Sequence, residues 1–227
     1  MRENGTDGKK GLYILAVVCL TIPFYLNDFT NFYVRNWRWW LCLDYTGVKI
    51  FPCLIALWLI YSKKMRASEF GLKTQSTLSF LLVFLIVALV GTVIDQNGYQ
   101  IIAKLPGYPP LGGMPAITSL VWNWVDLTFG LLMVGICEEL VFRGFMHTFN
   151  SRYTKNPYDI IIISSVSFFL IHWSLGLHAV IITSIIGAIF MIVYLKTRSL
   201  PAIMLSHFVI NFIDYAGVIP KAIFKFT

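Results

Sequence analysis

Apolar residues in this chain fall in long runs separated by short polar or basic stretches. After a polar, basic start at Met1 to Lys10, the runs are Gly11 to Leu26, Gly47 to Tyr61, Thr77 to Ile94, a stretch from near Leu120, Tyr158 to Trp173, Leu177 to Leu195, and Leu200 to about Tyr215. A membrane-crossing helix needs roughly 20 mostly apolar residues. Inside lipid every backbone donor and acceptor must be satisfied internally, which leaves helices as the element for such runs. The pattern predicts an all-α, polytopic membrane helical bundle of about seven transmembrane helices, with 1–227 as a single membrane domain. Pro52 is tolerated near the start of the second run because a first turn needs fewer backbone donors. Between the runs, Asn27 to Tyr45 reads as an aromatic, polar connection whose Trp37, Trp39 and Trp40 suit a membrane interface. Gln96 to Ser119, rich in Gly and Pro, reads as an outer loop. Val218 to Phe226 is too short to span.

Composition agrees. The chain is 57% hydrophobic and 13% charged, with a mean hydropathy of +0.72, against about 25% charged residues in a soluble domain. The net charge of +7 is read as Lys and Arg in cytoplasmic loops and at lipid headgroups. No motif for nucleic acid is present. The expected inner segments hold Arg2, Lys9, Lys10, Lys63, Lys64, Arg66, Lys73, Arg152, Lys155, Lys196 and Arg198. The outer ones hold Arg35, Arg38, Lys49, Lys104, Lys221 and Lys225. This excess places the N-terminus in the cytoplasm and the C-terminus outside, in a multi-pass protein of the cell membrane. The first run lacks a small-x-small cleavage site and is read as a helix, not a signal peptide. Cys19, Cys42, Cys53 and Cys137 match no metal or redox spacing.

The candidate chemistry lies at Glu138-Glu139-Leu140-Val141-Phe142-Arg143, two carboxylates and a guanidinium in an apolar setting. Ionisable groups at membrane depth are costly and point to function. Letting the fourth helix continue through this motif to about Asn150 puts Glu138 12 residues from its end, roughly 18 Å deep at about 1.5 Å per residue. His172 then lies roughly 21 Å along the fifth run, His207 roughly 10 Å along the seventh, and Asn211 one turn further. Glu139 and Arg143, four apart, share a face and are expected to form a structural ion pair. Glu138, turned about 100° away, is free to face the bundle centre. His207 and Asn211 share a face that Asp214 continues. His147 and His178 are expected at the two interfaces, and Asp95 and Asp126 carry no assignment.

A Glu, two His and an Asn at one depth suit amide hydrolysis. Glu138 is the candidate general base, with His172 sharing or orienting the water. His207 and Asn211 are candidate donors to the oxyanion. The residues equally allow Glu138, His172 and His207 to hold a divalent metal such as Zn with one open position, although His-Glu-x-x-His is absent. Proton-coupled transport is a further reading, weakened by the odd number of spans and the lack of two similar halves.

The motifs Glu138-Glu139-x-x-x-Arg143, Phe168-x-x-x-His172 and His207-x-x-x-Asn211, in this order on successive membrane segments, resemble those of the CAAX protease and bacteriocin-processing family. This is the Abi group of intramembrane proteases, which includes the type 2 CAAX prenyl endopeptidase. Glu69-Phe70-Gly71-Leu72 also looks like that family's loop before its core. The resemblance implies a catalytic core at about 118–216 and a cavity open to the cytoplasmic side. It also implies Glu138 and His172 at the water-activating positions, and His207 and Asn211 at the oxyanion or metal positions. The partners it implies are the lipid bilayer and a membrane-associated peptide or protein substrate. A non-enzymatic immunity or peptide-binding protein is the alternative.

Overall fold

The computed structural model describes residues 4–73, 76–102 and 105–219. Lys104, Lys221 and Lys225, and most of the short segment after Val218, lie outside them. Seven helices run back and forth. They are α1 (Asn4–Tyr33), α2 (Trp37–Tyr61), α3 (Thr77–Ile102), α4 (120–150), α5 (Pro157–Leu175, its last turn a tight 3-10 turn), α6 (Leu177–Thr197) and α7 (Leu200–Tyr215). No strand occurs among the described residues. Five helices are long and apolar enough to cross a membrane: α1 from Gly11, α2, α3 to Gly98, α5 and α6. The protein is an all-α membrane helical bundle. The remaining two, α4 and α7, carry the candidate side chains other than His172, which lies in the last turn of α5. α7 has only 16 residues, about 24 Å, and packs between α3 and α4.

Two boundaries differ from the sequence reading. Asn27 to Tyr45 is mostly helical, and only 34–36 form a connection. The polar residues there are not a solvated loop. Asp28, Asn31 and Asp44 are buried, and the Trp40 Nε1–H donates to Asn31 Oδ1 at 2.8 Å. The third helix likewise continues past Ile94 to Ile102.

Three stretches are wound as π-helix: Tyr45–Ile50 in α2, and Asp126–Gly130 and Leu140–Phe145 in α4. Their hydrogen bonds skip five residues, as from Met146 N–H to Val141 O. Such turns are uncommon and frequent at functional sites. Each carries a charged residue, respectively Lys49, Asp126 and Arg143.

Two glycines allow close approach to α4. A Cβ on Gly135 would lie 2.7 Å from the Met204 carbonyl of α7. One on Gly144 would collide with the carbonyl of Phe70, in the 3-10 turn Ala67–Phe70. That turn is the family-like stretch after the second span. It is fastened to the end of α4 by the Thr148 hydroxyl, which donates to the Glu69 carbonyl at 2.7 Å.

Candidate active site

The two adjacent carboxylates diverge as helical phase predicts. Glu139 is 0% exposed, and its Oε2 lies 3.1 Å from Arg143 Nε. Arg143, also 0% exposed, lays its guanidinium 3.8 Å from the centre of the Phe168 ring. Gly187 leaves it room, since a Cβ there would stand 3.0 Å from Nη2. The expected ion pair is therefore present, but it is half of what Glu139 does. Its other oxygen, Oε1, accepts from His207 Nδ1 at 2.8 Å. Glu138 turns the other way. It is 9% exposed and lines a cavity of about 460 Å³. Its Oε2 stands 3.8 Å from His207 Nε2. His207 thus bridges the two carboxylates.

His172 and Asn211 line the same cavity as Glu138. His172 sits in the closing 3-10 turn of α5 with non-helical dihedrals, φ −116° and ψ 18°. Its Nδ1 lies 3.1 Å from the Phe168 carbonyl. A carbonyl only accepts, so Nδ1 carries the hydrogen and Nε2 keeps a lone pair. The Phe168 ring contacts His172, His207 and Arg143, with ring centroids 5.0 and 6.0 Å from the two imidazoles. The first residue of the Phe-x-x-x-His motif is thereby a hub.

His207 stands beside Glu138, near the one level expected for the site. Ser199 and Leu200 are fully buried, so α7 starts recessed inside the bundle, not at the surface. His207 consequently reaches the level of Glu138.

Several residues at the site went unread in the sequence. Lys49, assigned above to an outer segment, is 2% exposed and paired with Asp44, with Asp126 Oδ1 3.6 Å away. The Tyr45 hydroxyl donates to Asp126 at 3.1 Å. All three charged groups line the cavity. A second network holds the corner carrying His172. Asp28 Oδ2 accepts the Ser174 N–H at 2.7 Å, and Asn31 Nδ2 lies 3.4 Å from Ser174 Oγ. The 105–119 segment is pinned to this corner through Leu111 N–H to the Ser174 carbonyl at 2.9 Å. Of the two remaining histidines, His147 meets Arg198 Nη1 at 2.8 Å near the end of α4. His178 lines the cavity at the start of α6.

Residues 120–213 match the family model for the type II CAAX prenyl endopeptidase, Rce1-like. That stretch is similar to the Rce1-like family. It begins at the first residue of α4 and runs nearly to the end of α7, so it contains all seven motif residues of the site. No curated protein and no solved structure matches the chain.

A metal at Glu138, His172 and His207 was one of the two chemistries open to the sequence. The bonds from His207 to Glu139 and from His172 to a carbonyl are of the kind that orient metal-bound imidazoles. The donors do not gather, however. Among the described residues no three His, Cys, Asp or Glu side chains are grouped closely enough to hold an ion.

The position of the cavity sets two expectations against each other. It is lined by the end of α1, the start of α2, the 105–119 segment and the end of α7. No described residue of the 62–76, 151–156 or 198–199 connections lines it. The cavity and the strongly basic connections therefore occupy opposite ends of the bundle. A cytoplasmic N-terminus and a cavity open to the cytoplasm are mutually exclusive in this fold.

Proposed function

We propose that the protein is an intramembrane endopeptidase that hydrolyses a peptide bond in a membrane-associated peptide or protein tail. The carrying observation is that Glu138, His172 and Asn211 share one cavity, with His207 3.8 Å behind Glu138. Glu138 takes a proton from water as that water attacks the scissile carbonyl. His172, with Nδ1–H held by Phe168, offers Nε2 as an acceptor that orients the water's second hydrogen. Asn211 donates its amide N–H to the oxygen that becomes negative. His207, held at Nδ1 by Glu139 and with Nε2 turned toward Glu138, is the second candidate donor to that oxygen. Glu138 then returns its proton to the departing amine. Glu139 and Arg143 do not touch substrate in this scheme and act by positioning His207.

Glu138→Gln, His172→Ala and His207→Ala, each shown to be folded in the membrane, are to be compared on quenched-fluorescence peptides. Glu138→Gln is expected to lower turnover by about 10²–10⁴, the usual contribution of a general base. Full processing by all three variants would replace this reading with the peptide-binding one. Because the side chains themselves carry the chemistry, activity is expected to survive exhaustive chelation. Loss with a chelator and return with added zinc would instead favour a metal drawn in by Glu138, His172 and His207.

A further inference from the structure

We infer that the cavity opens on the non-cytoplasmic face of the membrane, so that the substrate is a peptide segment displayed on, or delivered to, that face. Three observations converge. The cavity is lined at one end of the bundle by Pro110, Met114 and Ala116 of the 105–119 segment together with Asn31 of α1 and Asn123 of α4. Those residues all lie where α1, α3, α5 and α7 end and where α2, α4 and α6 begin.

Lys and Arg crowd the other end. The connections there and the residues next to them hold eight: Lys63, Lys64, Arg66, Lys73, Arg152, Lys155, Lys196 and Arg198. Among the described residues the cavity end holds two in its connections and their flanks: Arg35 and Arg38. The structure sharpens this contrast, because Lys49 is sealed into the bundle with Asp44 and no longer counts as a loop charge. Short loops rich in Lys and Arg stay in the cytoplasm, and the asymmetry holds without counting the N-terminal segment.

The third observation is closure at the basic end. There Phe70 is fully buried beneath Gly144. Glu69 joins Tyr13, Arg152 and the Arg66 N–H. Ser199 and Leu200 are buried as well. A soluble cytoplasmic tail entering from that end would have to displace this packing to reach Glu138. A segment on the opposite face meets the cavity directly.

The substrate half of this inference rests on the endopeptidase reading, whereas the sidedness does not, and the test separates them. In a Cys42→Ser background, Ala116→Cys marks the cavity end of the bundle and Lys155→Cys the α4–α5 connection. The other native thiols are buried or half-buried. Intact cells are treated with a membrane-impermeant maleimide before and after permeabilisation. Ala116→Cys is expected to react in intact cells, and Lys155→Cys only after permeabilisation. Reaction of Lys155→Cys in intact cells, equal reaction of both positions, or no reaction of Ala116→Cys in intact cells overturns the sidedness. A quenched peptide added outside sealed, right-side-out vesicles then tests the substrate half. Cleavage without permeabilisation, lost in Glu138→Gln, is the expected result. Cleavage only after permeabilisation would overturn it. Absence of cleavage in either state would count against the endopeptidase reading while leaving the labelling result intact.

Discussion

Among the described residues two cations, Lys49 and Arg143, are buried, each within a π-wound turn, and they pair at different spacings. Arg143 meets Glu139 four residues earlier, the ordinary spacing of neighbours on an α-helix. Lys49 meets Asp44 five residues earlier. On an α-helix that offset points the two side chains about 140° apart. They meet because the intervening turn, Tyr45–Ile50, is wound as π-helix, with hydrogen bonds that skip five residues. The surroundings differ as well. Arg143 and Glu139 are sealed by Phe168 and Phe190, and Glu139 Oε1 also accepts from His207 Nδ1. Lys49, Asp44 and Asp126 line the cavity. The first pair fixes the His207 imidazole, whereas the second cluster sets the charge of the cavity wall.

The comparison breaks most directly at Arg143. Arg143→Met removes the cation and strands Glu139 in a dry setting, a loss expected to cost about 3–5 kcal/mol. It is measured by reversible unfolding in mixed detergent micelles, and wild-type stability would show that the pair is not structural. Lys49→Met is expected to cost less, about 1–3 kcal/mol, because Asp44 and Asp126 line the cavity and keep Asn27 and Tyr45 as partners. Asp44→Asn in the same chain is expected to recover part of that loss. A double-mutant cycle reads the coupling, and equal losses at Arg143 and Lys49 would erase the distinction between sealed and cavity-lining clusters. The smallest effect is expected at Ser164, whose hydroxyl donates to the Phe142 carbonyl of the second α4 π turn at 3.1 Å. Ser164→Ala is expected to cost about 1 kcal/mol. A larger loss would mark that π turn as the weak point of the motif helix.

Much of the site was legible because the motif obeys α-helical spacing around one continuous helix. Glu139 and Arg143 pair at i and i+4, Glu138 diverges by one residue's rotation, and His207 and Asn211 follow at one turn. Lys49 and Asp44 were illegible for the complementary reason. Their spacing fits no α-helical face, so Lys49 was counted with the loop charges. The Asn27 to Tyr45 stretch misled similarly. Its Asn, Asp and Trp residues look like an interfacial loop, yet they satisfy one another inside the bundle and against Ser174.

By itself the sequence determined the helical membrane architecture, since apolar runs of such length have no other way to satisfy their backbone in lipid. It also determined which seven side chains stand in the motifs and how helical phase divides the two carboxylates. Tertiary structure alone decided three further things. It placed His207 between Glu138 and Glu139 through a recessed start to α7. It brought Lys49 to Asp44 through a π turn. It also placed the cavity at the end of the bundle away from the basic connections. Each depends on where one helix begins or unwinds relative to its neighbours, a matter of packing that no residue spacing within a single helix encodes.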